Sequence, residues 1–82
     1  YKGRLLDIMA KFNYINDEYK INFDVPETLK NLFIDAEQAD AEKHYGTYLC
    51  YADAIDVWAK NYCSDGKITH EMWDIICRRY KI

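Results

Sequence analysis

The chain has little of what usually announces a chemistry. Its 82 residues include three glycines, one proline, three cysteines and two histidines. A phosphate-cradling glycine loop cannot be assembled from so few glycines, nor a Ser/His/Asp triad from these histidines. Cys50, Cys63 and Cys77 are odd in number and contain no close pair. A secreted disulfide scaffold carries an even, denser set, so the expected state is reduced thiols in a cytoplasm, packed as small hydrophobes. No apolar run approaches the roughly 20 residues of a membrane span, and no apolar stretch follows a basic start as in a signal peptide. The expectation is therefore a cytoplasmic chain with no membrane partner. The single proline and the lack of low-complexity runs argue against disorder away from the ends. Half of the residues are hydrophobic, enough to build one core over residues 1–82 without a metal or a disulfide framework.

Charge is the most informative feature present. Between Asp24 and Val57 stand eight acids (Asp24, Glu27, Asp35, Glu37, Asp40, Glu42, Asp53, Asp56) and two bases, Lys30 and Lys43. The flanking stretches are slightly basic, and the whole chain is −3. Charge of this kind speaks of partners rather than of fold. A general nucleic-acid binder is normally basic overall, and here only Arg78, Arg79 and Lys81 cluster.

Apolar spacing predicts an all-α fold of four helices. Leu5, Ile8, Met9 and Phe12 recur at helical intervals and place the first helix over about 3–14. Ile15 and Tyr19 continue its face, but Asn13, Asn16 and Asp17 weaken it. Tyr19, Ile21 and Phe23 then alternate with polar residues like a short extended segment. Helix and extended chain fit residues 13–23 almost equally. Asp24-Val25-Pro26-Glu27 reads as a capped start, with Asp24 as cap, Glu27 reaching back and Pro26 in the first turn. The second helix carries Leu29, Leu32, Phe33 and Ala36 and runs to about His44, with Gly46 ending it. The third, about 47–62, is apolar nearly all round, so it is the expected central helix, buried throughout or buried on one side and in an interface on the other. Ser64-Asp65-Gly66-Lys67 is a turn, Ile68 a plug, and Thr69 the cap of a fourth helix bearing Met72, Ile75, Ile76 and Arg79. A two-residue β-bridge between 21–23 and 67–68 is a further expectation.

Each candidate constellation has a simpler reading beside it. Residues 61–69 resemble the second half of a calcium loop, with Gly66 and Ile68 in place. Asn61 and Cys63, however, stand at its first and third ligand positions, and Met72 where the bidentate Glu belongs. A plain turn explains the same residues. His70-Glu71-Met72-Trp73-Asp74 has Asp74 where a zinc-peptidase helix needs its second His. Cys63 and His70 are seven residues apart, without the tight ligand pair usual in zinc sites. The pairs Asp35/Asp40, Glu37/Asp40 and Asp53/Asp56 could divide acid and base roles, but the last pair lies opposite the apolar stripe, where its carboxylates face water. The third and fourth helices could imitate a helix-turn-helix, yet Glu71 and Asp74 near the start of the would-be recognition helix oppose phosphate.

Tyrosine is abundant: eight residues, with Tyr45, Tyr48, Tyr51 and Tyr62 around the third helix. Tyrosine is enriched at interfaces, though several of these could simply fill the core. Tyr45, Tyr48 and Trp73 are the expected exposed aromatics. These readings converge on a non-enzymatic protein-binding module, without metal or cofactor. Its face of Asp35, Glu37, Asp40, Glu42, Tyr45, Tyr48, Asp53 and Asp56 would meet a basic protein partner, itself a nucleic-acid-binding protein in one version. Small regulators and inhibitors of phages and mobile elements have this composition. The alternatives are a nucleic-acid-binding regulator using Arg78, Arg79 and Lys81, and a self-associating domain such as a homodimer sharing the third helix.

Overall fold

The computed structural model describes residues 12–82. The fold is all-α, with three helices among the described residues: α1 (Glu27–Ala41), α2 (Tyr45–Ser64) and α3 (His70–Tyr80). The helix expected over 3–14 lies outside the described residues except for its last three, and those are not helical. Residues 12–26 form an irregular strap. Its Tyr19–Asp24 part alternates half-buried Tyr19, Ile21 and Phe23 with exposed Lys20, Asn22 and Asp24. The side-chain rhythm of an extended chain is thus present without a ladder. No β-bridge joins it to 67–68.

The α1–α2 pair is a helical hairpin. Leu29, Phe33, Ala36 and Ala39 of α1 face Tyr48, Ala52, Ile55 and Ala59 of α2 across the core. The alanines at this seam let the two backbones approach closely. Ile76 and Tyr80 of α3, Ile15 of the strap and Ile68 of the turn complete it. The Phe33 and Tyr80 rings stack at 5.1 Å and carry α3 onto α1.

Helix boundaries differ from the expected ones for local reasons. Pro26, not Asp24, is the residue flanking α1, and no side chain caps that end. Pro26 holds φ −57° and ψ 151°, and a proline also pushes the residue before it out of the helical region, so Asp24 cannot reach the first turn. The end of α1 is set by Lys43, at φ 59°, and not by Gly46. The Lys43 amide donates to Asp40 O and the His44 amide to Ala39 O, both at 3.0 Å, an arrangement that satisfies the last carbonyls. Gly46 belongs to the first turn of α2. Gly66 does end α2, at φ 78°, with Lys67 N donating to Tyr62 O at 2.8 Å. Thr69 caps α3 as expected, its Oγ1 accepting from Met72 N at 3.1 Å.

Candidate interaction surface

The eight residues expected to form one acidic, tyrosine-rich face do not stay together. Asp40 is wholly buried. It accepts from the backbone N–H groups of Asn13 (2.8 Å), Tyr14 (2.6 Å) and Ile15 (3.1 Å). Its position on the inner face of α1 makes it the clamp that ties the strap to the helix, so no partner meets it. Tyr48 is also core, with its hydroxyl donating to Tyr80 O at 2.8 Å. Burial, reinforced by the nearby Asp40 charge, pushes the Tyr48 phenol up to about 12. Glu37 is half-buried and turned toward Arg79 and the Tyr80 hydroxyl, 3.4 Å from each.

What remains outward is Asp35 on α1, Glu42 just past its end, and Asp53 and Tyr45 on α2, with Asp56 half-buried. Tyr45 is about half exposed, and its ring rests on Tyr14 at 4.9 Å. Trp73 is half-buried against the core rather than displayed, and its indole N–H is buried without an acceptor among the described residues. The cysteines are not the buried hydrophobes expected: Cys50 is exposed, Cys63 and Cys77 intermediate. Cys63 Sγ lies 3.4 Å from His70 Nδ1, a contact made when the turn folds α3 back beside the end of α2.

The basic trio also divides. Arg79 is 6% exposed. Its Nη1 donates to Asp17 Oδ1 and to Tyr19 O, each at 2.9 Å. Burial works against its charge, but the hydrogen bond to Asp17 and the adjoining Tyr80 and Glu37 oxygens outweigh it and raise its pKa. Asp17 is held below the ordinary carboxylate range by Lys20 and Arg79. Arg79 is therefore an internal tie between α3 and the strap, not a phosphate contact. Arg78 is exposed and bonded to Asp74 at 2.9 Å, and Lys81 is exposed.

The surface that sequence reasoning only half found is the outer half of α2. Leu49, Val57 and Trp58 are 41%, 56% and 42% exposed. At 100° per residue, Leu49, Asp53 and Val57 follow one another on a single stripe. Cys50 and Ala54 lie beside it toward Trp58. The buried set Tyr48, Ala52, Ile55 and Ala59 occupies the opposite side. Helix α2 thus carries apolar residues on both faces, and on the open one they are interspersed with exposed Asp53, Lys60 and Asn61. The signal was in the sequence, in the near absence of polar residues around this helix, but the pattern could not say which half the hairpin would cover.

Compared with family models, curated proteins and solved structures, the chain matches none. No described helix is long and apolar enough to cross a membrane.

Proposed function

We propose that this domain is a non-enzymatic protein-binding module, a small regulator or inhibitor, that engages a basic, partly apolar segment of another protein along the outer face of α2. One observation carries the reading: Leu49, Val57 and Trp58 are exposed on one half of a helix whose other half builds the core. Leu49 and Val57 share the stripe and Trp58 stands at its far rim, half a turn round the helix from Leu49, and exposed apolar residues along one side of a helix mark interaction surfaces. Asp53 lies within the stripe and Asp56 at its margin, so a partner offering lysine or arginine between apolar residues would satisfy both. A second copy is a poorer occupant. Leu49 and Val57 are each four residues from Asp53, so an antiparallel twofold pairing of the stripe brings Asp53 against its own image. The nucleic-acid reading is weakened by the internal role of Arg79.

The test is a recovery experiment from the native host's lysate with three baits: the native domain, Leu49→Ser/Val57→Ser, and Asp53→Lys/Asp56→Lys. Asp40 is left intact because its replacement would damage the fold. A basic protein held by the native bait and lost by both variants supports the reading. Undiminished recovery by the serine bait refutes it. Light scattering at 0.1 mM, the order of concentration at which weak dimers form, is expected to return a monomer.

A further inference from the structure

A cavity of about 500 Å³ opens between the strap, one side of α1 and the end of α3. No residue of α2 lines it, so it is separate from the stripe above. Its volume falls within the roughly 300–1,000 Å³ of small-ligand sites. Ile21 and Phe23 of the strap and Phe33 and Ile34 of α1 supply apolar walls, and buried Arg79 with half-buried Glu37 is the charged pair that lines it.

We propose that this cavity binds a small apolar carboxylate, either a free acid or the C-terminal carboxylate of a peptide, through one edge of the Arg79 guanidinium. A guanidinium has five N–H donors. Nη1 is engaged by Asp17 and the Tyr19 carbonyl, at 2.9 Å each. Among the described residues, Nη2 meets Glu37 Oε2 at 3.4 Å with the Tyr80 hydroxyl nearby, and Nε is buried with no hydrogen-bond partner. Nε and Nη2 form the same edge of the planar group, the edge that the two oxygens of a carboxylate match side by side. The 3.4 Å contact is longer than the usual 2.7–3.2 Å range, and the same Glu37 oxygen is also 3.4 Å from the Tyr80 hydroxyl. Glu37 therefore holds this edge loosely and fills only one of its two donor positions.

The rim restricts the ligand's charge. Lys20 and Lys30 favour an anion, while Asp24 and Glu27 offset them. A single carboxylate on an apolar body fits that balance, and a polyphosphate or a nucleic-acid backbone does not. The walls give the body its place: Phe23 and Ile21 on the strap side, Phe33 and Ile34 on α1.

The experiment is a titration of the ¹⁵N-labelled full chain with decanoate, decylamine, N-acetyl-Leu-Phe and the same dipeptide as its amide. The Arg79 side-chain Nε–H and the Phe33 and Tyr80 amides are followed by NMR. Decanoate or the free-acid dipeptide is expected to saturate and to move the Arg79 Nε–H resonance, whereas the amine and the amide leave it in place. Tighter binding of the dipeptide identifies a peptide C-terminus as the source, and tighter binding of decanoate a free acid. Glu37→Gln removes the competing charge a few ångströms away and is expected to tighten binding about fivefold or more. Ile34→Glu, at an exposed position on the wall, is expected to weaken it about tenfold. Equal responses to decanoate and decylamine, a stationary Arg79 resonance, or unchanged affinity in Glu37→Gln would each overturn the assignment. None of these results depends on the α2 stripe.

Discussion

Replacing Asp40 with asparagine tests the structural logic most directly. The carboxylate is fully buried and takes three consecutive backbone N–H groups, those of Asn13, Tyr14 and Ile15. Asparagine has nearly the same shape but only one acceptor oxygen, and its amide group turns N–H toward N–H. Hydrogen bonds to a charged group contribute about 1.5–3 kcal/mol each, and a buried donor left unpaired costs about 1–3 kcal/mol. The losses are not additive, because a released strap recovers some bonds with water. A net cost of about 3 kcal/mol is expected. The whole domain, at roughly 0.05–0.15 kcal/mol per residue, has about 4–12 kcal/mol in hand. With a urea dependence of about 1 kcal/mol per molar, typical of small domains, the unfolding midpoint should fall by about 2–3 M. Asp35→Asn, on the exposed side of the same helix, should change stability by less than about 0.5 kcal/mol. A midpoint shift below about 0.5 M for Asp40→Asn would show that the three bonds do not hold the strap, and the reasoning would fail.

Other outcomes follow from the same geometry. Spectrophotometric titration of the eight tyrosines should leave two unionised until the fold opens. Tyr48 is pushed up to about 12, and burial also raises Tyr80. A group whose folded pKa is raised stabilises the fold below its unfolded value, roughly 10, and loses that contribution as pH rises toward the folded value. Stability should therefore fall between about pH 10 and 12, and all eight ionising together near 10 would contradict it. Thr69→Ala removes the cap on α3 and should cost about 1 kcal/mol in a urea melt. Val57→Ser should change stability by less than about 0.5 kcal/mol, since more than half of Val57 is exposed, and Leu49→Ser, at a less exposed position, by about 1 kcal/mol or less. A larger loss would mean the stripe is covered within the chain.

The helical elements were legible where periodicity and capping chemistry agreed. Leu29, Phe33 and Ala36 were placed on the buried face of α1, Ile68 in the core and Thr69 at the start of α3, each from spacing or local chemistry alone. Gly46 misled because glycine is only one way to end a helix. Lys43 adopts the left-handed conformation at a cost of about 1–2 kcal/mol, which the two terminal hydrogen bonds help to offset. The acidic face was misread at Asp40, Glu37 and Tyr48 for a common reason. A charge count has no direction, and each of these residues turns toward a partner distant in sequence. Asp40 meets residues 13–15, Glu37 meets Arg79 and Tyr80, and Tyr48 meets Tyr80. The same long-range pairing removed Arg79 from the basic trio. No local pattern encodes such contacts; they exist only once the strap and α3 have packed against the hairpin.

That strap bears on the order in which the molecule assembles. The α1–α2 hairpin closes over a three-residue connection, a local event with little chain entropy to overcome. The strap's bonds are different: Asn13 reaches Asp40, 27 positions away, and Asp17 reaches Arg79, 62 positions away. The bonds to Arg79 form only after α3 has docked, because its guanidinium and the Arg79 carbonyl that receives Asn16 N belong to that helix, whereas the clamp on Asp40 needs α1 alone. The irregular segment and the last helix thus make up one cooperative unit laid over an earlier one. In native-state hydrogen exchange the amide of Asn16 would open together with those of α3, ahead of the hairpin core, while those of Tyr14 and Ile15 report release of the Asp40 clamp.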